Sequence, residues 1–240
     1  MLTTVLFDLD GTLLPMDQDV FVRDYFHRLA GRVAPLGYEP KALVDTVWAG
    51  TAAMVQNDGS RTNEEAFWQV FANRYGEERL RDRPVFDDFY RTDFQQTARV
   101  CGRNEAARAA VEAVRAMGLR VALATNPIFP RVATHSRVRW AGLEPEMFAY
   151  ITTYENSTHS KPDPAYYEDV LRALDVRGEE CLMVGNDAGE DMVAETVGMR
   201  VFLLYRLASS MQRSEDISRW PHGGFADLLA HVRALLARDV

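Results

Sequence analysis

Short apolar segments alternate with helix-forming segments from about residue 104 to the C-terminus. Such alternation predicts a parallel sheet with helices on both faces, because the crossovers between parallel strands usually contain a helix. The expected fold class is therefore α/β. The predicted strands cover residues 119–124, 150–153, 181–184 and 201–204, and the predicted helices cover residues 104–117, 132–140, 164–174 and 225–237.

A further apolar segment, residues 2–7, is predicted to be the first strand, and a long helical region follows it. Residues 17–100 carry apolar side chains at helical spacing, interrupted by proline and glycine, and predict three to five helices without a strand. We therefore expect a Rossmann-like core of residues 1–15 and 101–240 and an all-helical cap of residues 16–100. An insertion at this place lies above the carboxyl ends of the strands, where open α/β sheets bind ligands.

The composition is that of an ordinary globular protein, with 47% hydrophobic and 26% charged residues. A net charge of -8 argues against an extended nucleic acid as partner, because its phosphates would be repelled. No apolar run approaches the length of a membrane span. The two cysteines, Cys101 and Cys181, match no metal-ligand spacing, which favours free thiols in a reducing compartment. We therefore expect a cytoplasmic protein without a membrane partner, and the sequence gives no indication of its oligomeric state.

Two aspartates separated by one residue follow the first predicted strand. They belong to the segment Asp8-Leu9-Asp10-Gly11-Thr12. Gly11 permits a sharp turn there, and the hydroxyl of Thr12 can order that turn. Carboxylates as close as those of Asp8 and Asp10 repel each other unless a proton or a cation lies between them. A hard divalent cation such as Mg²⁺ would relieve this repulsion and would screen the pair from an anionic substrate.

Three other polar segments follow predicted strands or precede a predicted helix. Thr125 and Asn126 offer a hydroxyl and an amide that can bond anionic oxygens. Lys161 precedes a proline-stiffened turn, and Lys41 is the other lysine of the chain. Arginine supplies nearly all the other positive charge of the chain. The presence of a lysine at position 161 therefore indicates a functional role rather than an exposed surface position. The acidic loop of residues 185–191 completes the set.

These residue types meet the requirements of phosphoryl transfer. That reaction needs an in-line nucleophile, a metal ion near the transferring oxygens and fixed donors around them. A carboxylate nucleophile divides the reaction into formation and hydrolysis of an aspartyl phosphate. A second carboxylic acid can protonate the leaving group and then deprotonate the attacking water. We assign the first role to Asp8 and the second to Asp10.

The four segments together resemble the four motifs of the haloacid dehalogenase (HAD) superfamily of phosphohydrolases. They occur in the order Asp8-Leu9-Asp10-Gly11-Thr12, Thr125, Lys161, and Gly185-Asn186-Asp187 with Asp191. The helical region after the first motif resembles, in position and class, the small cap of the superfamily's first subfamily. The resemblance covers the whole chain and implies a phosphatase fold in which the cap closes over the site.

The resemblance also implies roles for individual residues. Asp8 would be the nucleophile and a metal ligand, and Asp10 would be the acid/base and would bind the metal through its backbone carbonyl. Asp187 would be a further metal ligand. Thr125 and Lys161 would bind the phosphate, and Mg²⁺ would be the cofactor.

The fourth motif departs from the Gly-Asp pair that is common in the family. Because this chain has Asn186 followed by Asp187, either residue can occupy the metal-ligand position. We favour Asp187, since a divalent cation gains more from a formal charge than from an amide oxygen. Asp191 is expected to orient metal-bound water or the lysine. Asn186 and Thr12 are expected to support these groups.

The function expected from these residues is a Mg²⁺-dependent phosphatase that hydrolyses a small phosphorylated metabolite. A sugar phosphomutase shares all four motifs and stays an alternative. Phosphonate cleavage in resembling enzymes uses a cap lysine, for which Lys41 is the candidate. Resembling dehalogenases lack the second aspartate, here Asp10. The non-enzymatic alternative is a regulatory protein that binds a phosphorylated ligand without turnover. Substrate specificity is expected to depend on cap residues that face the substrate cleft, and residues 56–61 are expected to form a loop that reaches this cleft.

Overall fold

The computed structural model describes residues 1–204 and 217–238. The strands are β1 (Thr4–Phe7), β2 (Arg120–Leu123), β3 (Cys181–Gly185), β4 (Arg200–Leu204) and β5 (His222–Gly223). Within the described residues they form one sheet in the order β2-β1-β3-β4-β5, and all neighbouring strands are parallel. The expected α/β fold class is confirmed. Parts of the predicted core, residues 205–216 and 239–240, lie outside the described residues.

Helices cover both faces of this sheet. The α-helices of the described residues are α1 (Gln18–Val33), α2 (Pro40–Val55), α3 (Asn63–Tyr75), α4 (Arg83–Arg91), α5 (Glu105–Ala116), α6 (Arg131–Trp140), α7 (Pro164–Leu174) and α8 (Phe225–Arg238). Val5 of β1 packs in one apolar cluster with Val111 of α5 and Leu228 of α8. Leu6, the next residue, packs in a different cluster with Val170 of α7. This alternation follows from the period of two along a strand. None of the described helices is long and apolar enough to cross a membrane.

The region between the first strand and α5 is helical, as expected from its periodicity. We call residues 16–100 the helical insert; it contains α1 to α4, and its described residues include no strand. Its apolar cluster is rich in aromatic side chains, among them Phe21 and Phe71. Met16 and Cys101 pair as an isolated antiparallel bridge, so the two connections between insert and core lie side by side.

The start of α3 makes another contact between the helical insert and the core. Asn63 is completely buried. Its Nδ2 donates to the hydroxyl of Ser160 at 3.0 Å and to the carbonyl oxygen of Pro127 at 3.2 Å. Its backbone amide donates to the carbonyl of Ser157 at 2.8 Å. Because buried polar groups require such partners, these bonds hold the insert against the loop that leads to Lys161.

The strand predicted at residues 150–153 is wrong in its extent. Only Ile151 pairs there, as a single bridge to Leu123. The chain turns immediately afterwards, because the amide of Thr153 donates to Oδ1 of Asn156 at 2.7 Å instead of continuing the sheet. The other predicted strands and helices lie close to their predicted bounds, whereas the two-residue strand β5 is too short to show a period in the sequence.

Candidate active site

The carboxyl ends of β1, β2 and β3 carry the polar residues expected from the sequence. Asp8 directly follows β1, Thr125 lies just beyond β2, and Asn186 directly follows β3. These three strands are adjacent and parallel, so their ends meet at one edge of the sheet. Lys161 reaches the same edge from the loop before α7.

Lys161 connects two carboxylates in the interior of the site. Its Nζ lies 3.0 Å from Oδ1 of Asp8 and 2.6 Å from Oδ1 of Asp191, and the residue is 1% exposed. Burial alone would lower the pKa of Lys161, but the carboxylates of Asp191 and Asp8 outweigh burial and hold this pKa well above its usual value. Burial raises the pKa of Asp191 to about 6, against the opposing effect of Lys161. At neutral pH the lysine is therefore a buried cation between two carboxylates.

The turn after β1 brings Thr12 and Asn186 beside Asp8. The hydroxyl of Thr12 lies 3.0 Å from Oδ2 of Asp8 and 2.7 Å from Oδ1 of Asn186, and it donates its single proton to one of these oxygens at a time. Gly11 has a φ of 83°, a conformation that favours glycine. A Cβ atom at Gly11 would lie 2.8 Å from Nδ2 of Asn186. The glycine therefore provides both the turn and the space for this amide.

Asp10 is paired with an arginine of α6. Nη1 of Arg137 donates to Oδ2 of Asp10, and the side chain of Arg137 is 1% exposed. The guanidinium carbon lies 4.3 Å from the centre of the Phe129 ring. Burial raises the pKa of Asp10, and Arg137 opposes this effect. Oδ1 of Asp10 is buried and has no hydrogen-bond partner among the described residues.

Arg137 is a site residue that the sequence analysis does not identify. Arg131 and Arg139 lie on the same helix and are exposed, so the residue type carries no signal. The spacing does carry one, because Ala133 and Thr134 lie one turn before Arg137, on the same face, and are buried. An arginine on the buried face of a helix requires a partner, and Asp10 is that partner.

Thr125 and Asn126 lie in a loop whose backbone is held from two sides. The carbonyl oxygen of Thr125 accepts hydrogen bonds from the hydroxyls of Thr152 at 2.6 Å and Tyr166 at 2.9 Å. Nδ2 of Asn126 lies 3.4 and 3.5 Å from the two carboxylate oxygens of Glu190. Oδ1 of Asn126 is buried without a hydrogen-bond partner in the part of the chain that the structure describes.

Glu190 is a second residue that the sequence analysis does not place in the site. Burial raises its pKa to about 7, Lys161 opposes that shift, and the nearby carboxylates of Asp191 and Asp187 add to it. The group therefore changes charge near neutral pH. A glutamate at this place in the sequence is commonly explained by the helix dipole, and only the structure shows that Glu190 is half-buried beside Asn126.

Asn186 and Asp187 take different positions. Asn186 reaches Thr12, and through it Asp8. Asp187 is exposed, and its Oδ1 accepts the backbone amides of Gly189 at 2.8 Å and Glu190 at 2.9 Å. The geometry thus brings Asn186 to the nucleophile candidate and leaves Asp187 closing its own loop, although the charge argument favoured Asp187. The choice of ligand between the two stays a prediction.

The site is rich in oxygen atoms of the kind that hard cations bind. Within the described residues, no three side chains of His, Cys, Asp or Glu form a group that could hold a metal by themselves. Mg²⁺ requires less, since it is usually held by one or two carboxylates together with water and substrate phosphate. The unpartnered Oδ1 atom of Asp10 is an oxygen ligand of this kind, and the carboxylate of Asp8 lies two residues away. The residues present therefore fit Mg²⁺ completed by water and substrate.

A family model described as haloacid dehalogenase-like hydrolase matches residues 2–194. The chain belongs to this family. The match contains every residue described above at the sheet edge, from Asp8 to Asp191. A comparison with curated proteins gives no match.

Solved structures of haloacid dehalogenase-like proteins have the same fold over nearly the whole chain. The HAD phosphatase from Thermococcus onnurineus is 16% identical, with 96% of this chain and 98% of that chain covered and a TM-score of 0.59. The 2-haloacid dehalogenase from Pseudomonas syringae pv. tomato DC3000 is 21% identical, with 100% of both chains covered and a TM-score of 0.61. CbbY from Rhodobacter sphaeroides, in complex with xylulose-(1,5)bisphosphate, is 18% identical, with 95% and 96% covered and a TM-score of 0.57. At these identities the likeness shows the fold alone.

Proposed function

We propose that this hydrolase is a Mg²⁺-dependent phosphatase that acts on a small phosphorylated metabolite through an aspartyl phosphate. The observation that carries the proposal is the pair of aspartates after β1, each with its own cation. Lys161 bonds Asp8, and Arg137 bonds Asp10. The presence of Asp10 favours phosphate release over dehalogenation, because the resembling dehalogenases lack this aspartate.

Asp8 is the proposed nucleophile. Lys161 at its Oδ1 and Thr12 at its Oδ2 hold the carboxylate in one orientation before substrate arrives, which lowers the reorganisation needed for in-line attack. An ammonium group has three protons, of which two point to Asp8 and Asp191. The third proton of Lys161 serves a phosphoryl oxygen in this proposal, together with the loop donors Thr125 and Asn126.

Asp10 is the proposed acid/base. In the structure the side chain of Asp10 accepts a hydrogen bond from Arg137, as a carboxylate does. The carboxylate is the form of Asp10 that can take a proton from the attacking water. The proton it gains in that step is the one that the leaving group of the next cycle requires. In this proposal Arg137 acts through Asp10 and does not touch substrate. Its positive charge opposes the effect of burial on the pKa of Asp10.

The metal site would be formed by residues that follow the two adjacent strands β1 and β3. Asp8, Asp10 and either Asn186 or Asp187 would hold Mg²⁺. When bound, the ion neutralises the negative charge of the carboxylates and of the transferred phosphoryl group. Asp191, bonded to Lys161, would keep the lysine in place beside the ion.

The test is release of inorganic phosphate from a panel of phosphorylated sugars, nucleotides and short acids, ranked by kcat/KM with Mg²⁺ and with EDTA. Asp8→Asn should lower kcat by about 10³-fold or more, because the amide cannot form the phosphoenzyme. Asp163→Asn is the matched control. Asp163 caps α7, and an asparagine caps a helix equally well. The kcat of Asp163→Asn should therefore differ from that of the unchanged protein by less than about 2-fold.

Phosphate release that survives Asp8→Asn would contradict the proposal. A product isomer formed only with a sugar bisphosphate would identify a phosphomutase instead, and ligand binding without turnover would favour a regulatory protein. Phosphonate cleavage receives no support, because Lys41 is 81% exposed and pairs with Asp45 on the surface of α2. A cytoplasmic location is part of the proposal.

A further inference from the structure

The peptide group between Thr125 and Asn126 is held in one orientation by two buried hydroxyls. Its carbonyl oxygen lies 2.6 Å from the hydroxyl oxygen of Thr152 and 2.9 Å from that of Tyr166. Both residues are fully buried, so this carbonyl points into the interior of the protein. The peptide bond is trans, and its C=O and N–H groups therefore point in opposite directions. The amide of Asn126 is consequently directed away from the interior.

The amide of Asn126 has no acceptor, although the carbonyl groups of the same loop are bonded. The carbonyl of Asn126 accepts the amide of Ile128 at 2.9 Å, and the carbonyl of Pro127 accepts Nδ2 of Asn63 at 3.2 Å. Within the described residues, the amide of Asn126 donates to none. A backbone N–H group requires a partner, so this one is available to water or to a ligand. Beside the hydroxyl of Thr125, it is suited to an anionic oxygen.

Tyr166 is suited to fix the orientation of this peptide. It lies in the first turn of α7, five residues after Lys161, and its ring centre lies 4.9 Å from that of Tyr167. Burial raises the pKa of Tyr166, so the phenol keeps its proton and stays a donor. Its oxygen also lies 3.1 Å from the hydroxyl oxygen of Thr152. Rotation of the peptide would break both bonds to the carbonyl and leave a buried oxygen unpaired.

We infer that Tyr166 is a positioning residue for phosphoryl transfer. Together with Thr152, it orients the peptide between Thr125 and Asn126 so that the amide faces the phosphoryl group at Asp8. Tyr166 itself does not touch substrate. A donor oriented in advance stabilises the charge of a phosphoryl oxygen without reorganisation during the reaction. The inference rests on the proposed phosphatase function and adds to it a residue outside the four sequence motifs.

The first test removes the two hydroxyls one at a time and together. Tyr166→Phe and Thr152→Val each leave the carbonyl of Thr125 with one partner, and each should lower kcat/KM about 5-fold. The double variant leaves it with none and should lower kcat/KM about 10²-fold or more, above the product of the single losses. The loss should be similar for every ester, because all esters share the phosphoryl group. Thr152→Ser keeps a hydroxyl and should stay within about 2-fold of the unchanged protein.

Tyr38→Phe is the matched control for the loss of a buried phenol hydrogen bond. Tyr38 is a buried residue of the helical insert, and its hydroxyl donates to Oδ2 of Asp82 at 2.8 Å. Urea denaturation should show a similar loss of stability for Tyr38→Phe and Tyr166→Phe. The kcat/KM of Tyr38→Phe should nevertheless stay within about 2-fold of the unchanged protein.

The second test uses inorganic phosphate with Mg²⁺ and requires no turnover. Phosphate added to isotope-labelled protein should shift the nuclear magnetic resonance signal of the amide of residue 126. Tyr166→Phe should weaken phosphate binding about 5-fold, whereas Tyr38→Phe should leave it unchanged. A loss of stability alone does not change the affinity of the folded protein for phosphate. This titration and the single variants decide the question if the double variant does not fold.

The two tests separate this inference from the proposed function. Phosphate release that depends on Asp8 but is unchanged in Tyr166→Phe and in the double variant would overturn the inference and leave the phosphatase proposal intact. If no ester is hydrolysed, a phosphate-induced shift at residue 126 that Tyr166→Phe weakens would support the orienting role while the phosphatase proposal fails. A signal of residue 126 that phosphate does not move would overturn the inference in either case.

Discussion

The guanidinium of Arg137 pairs with the carboxylate of Asp10 while the ring of Phe129 covers one face of the guanidinium. An arginine cannot lose its proton in a protein, so this pair places a permanent positive charge beside a carboxylate that burial would otherwise neutralise. Asp8 lies two residues away with its own cation, Lys161. The two aspartates can therefore remain close together in the folded chain before any metal binds.

Replacing Arg137 by methionine should lower the free energy of unfolding by about 2 kcal/mol. The variant removes the cation of a partly buried carboxylate and leaves the charge of Asp10 without compensation. Urea denaturation at pH 7 measures the change, and adding Asp10→Asn should recover part of it. Arg108→Met, which breaks the exposed pair with Glu112, is the control and should cost less than about 1 kcal/mol. Equal losses for the two arginines would contradict a structural role for the buried pair.

Replacing Gly11 by alanine should disturb the site more than a comparable change elsewhere. Gly11 and Gly118 have φ values of 83° and 82°, so an alanine is strained at both positions by about 1 kcal/mol. At Gly118 the added methyl group meets nothing within 4 Å, whereas at Gly11 it meets the amide of Asn186. We expect Gly11→Ala to lose about 1 kcal/mol more than Gly118→Ala, together with most of the phosphate release. Similar stability and activity in the two variants would show that Asn186 can move away freely.

Glu190 should make the metal-free protein less stable as the pH rises. Its pKa is about 7 in the folded chain against 4.5 for an ordinary glutamate. The folded state therefore keeps a proton that the unfolded state releases, and the stability from this group is present below pH 4.5 and is lost as the pH rises to about 7. Glu190→Gln should remove this loss and gain about 1–2 kcal/mol at pH 8 relative to pH 5, allowing for partial solvation.

The measurement for Glu190 is urea denaturation in EDTA at pH 5 and pH 8. Glu168→Gln on the exposed face of α7 serves as the control and should show the same pH dependence as the unchanged protein. If Glu190→Gln also retains that dependence, the glutamate does not carry the proton in the folded state.

Asn63 should control how firmly the helical insert contacts the core. Asn63→Ala removes the donor to Ser160 and Pro127 and leaves these buried oxygens with fewer partners, at a cost of about 2 kcal/mol. Hydrogen exchange should become faster at the backbone amide of residue 63, which donates to Ser157. Asn73→Ala, an exposed asparagine of the same helix, should change neither quantity. Unchanged exchange at residue 63 would mean that its side chain does not secure the insert.

The local chemistry of the sequence predicts much of the fold. Asn104 and Asp163 both cap the helices that begin after them, as the preference for these residues at an N-cap indicates. The polar ends of β1 and β3 bring Asp8 and Asn186 to one edge because the sheet is parallel. These features depend on a few neighbouring residues and on the order of the strands, both of which the sequence contains.

The features that the sequence does not predict depend on contacts between distant segments. Glu190 has an ordinary explanation as a dipole-compensating glutamate, and only the packed structure shows that it is half-buried beside Asn126. The spacing of Arg137 places it on the face of Ala133 and Thr134, but only the packed structure shows that Asp10 is its partner. The end of the strand at residue 151 is set by the side chain of Asn156, a competition that periodicity does not register. The choice of metal ligand after β3 also depends on contacts between distant segments. Formal charge favours Asp187, whereas the turn geometry brings Asn186 to Thr12 and Asp8.

The position of β1 also sets the order in which this enzyme can become active during synthesis. Its residues 4–7 have no strand partner until residues 120–123 and 181–184 have been made. The helical insert, whose apolar contacts lie mostly among residues 21–94, can pack while the ribosome is still adding the remaining strands. The nascent chain can therefore pack its helical insert before β1 has both of its strand partners, and Asp8, which follows β1, reaches Lys161 and the end of β3 only after residues 161–185 have been made.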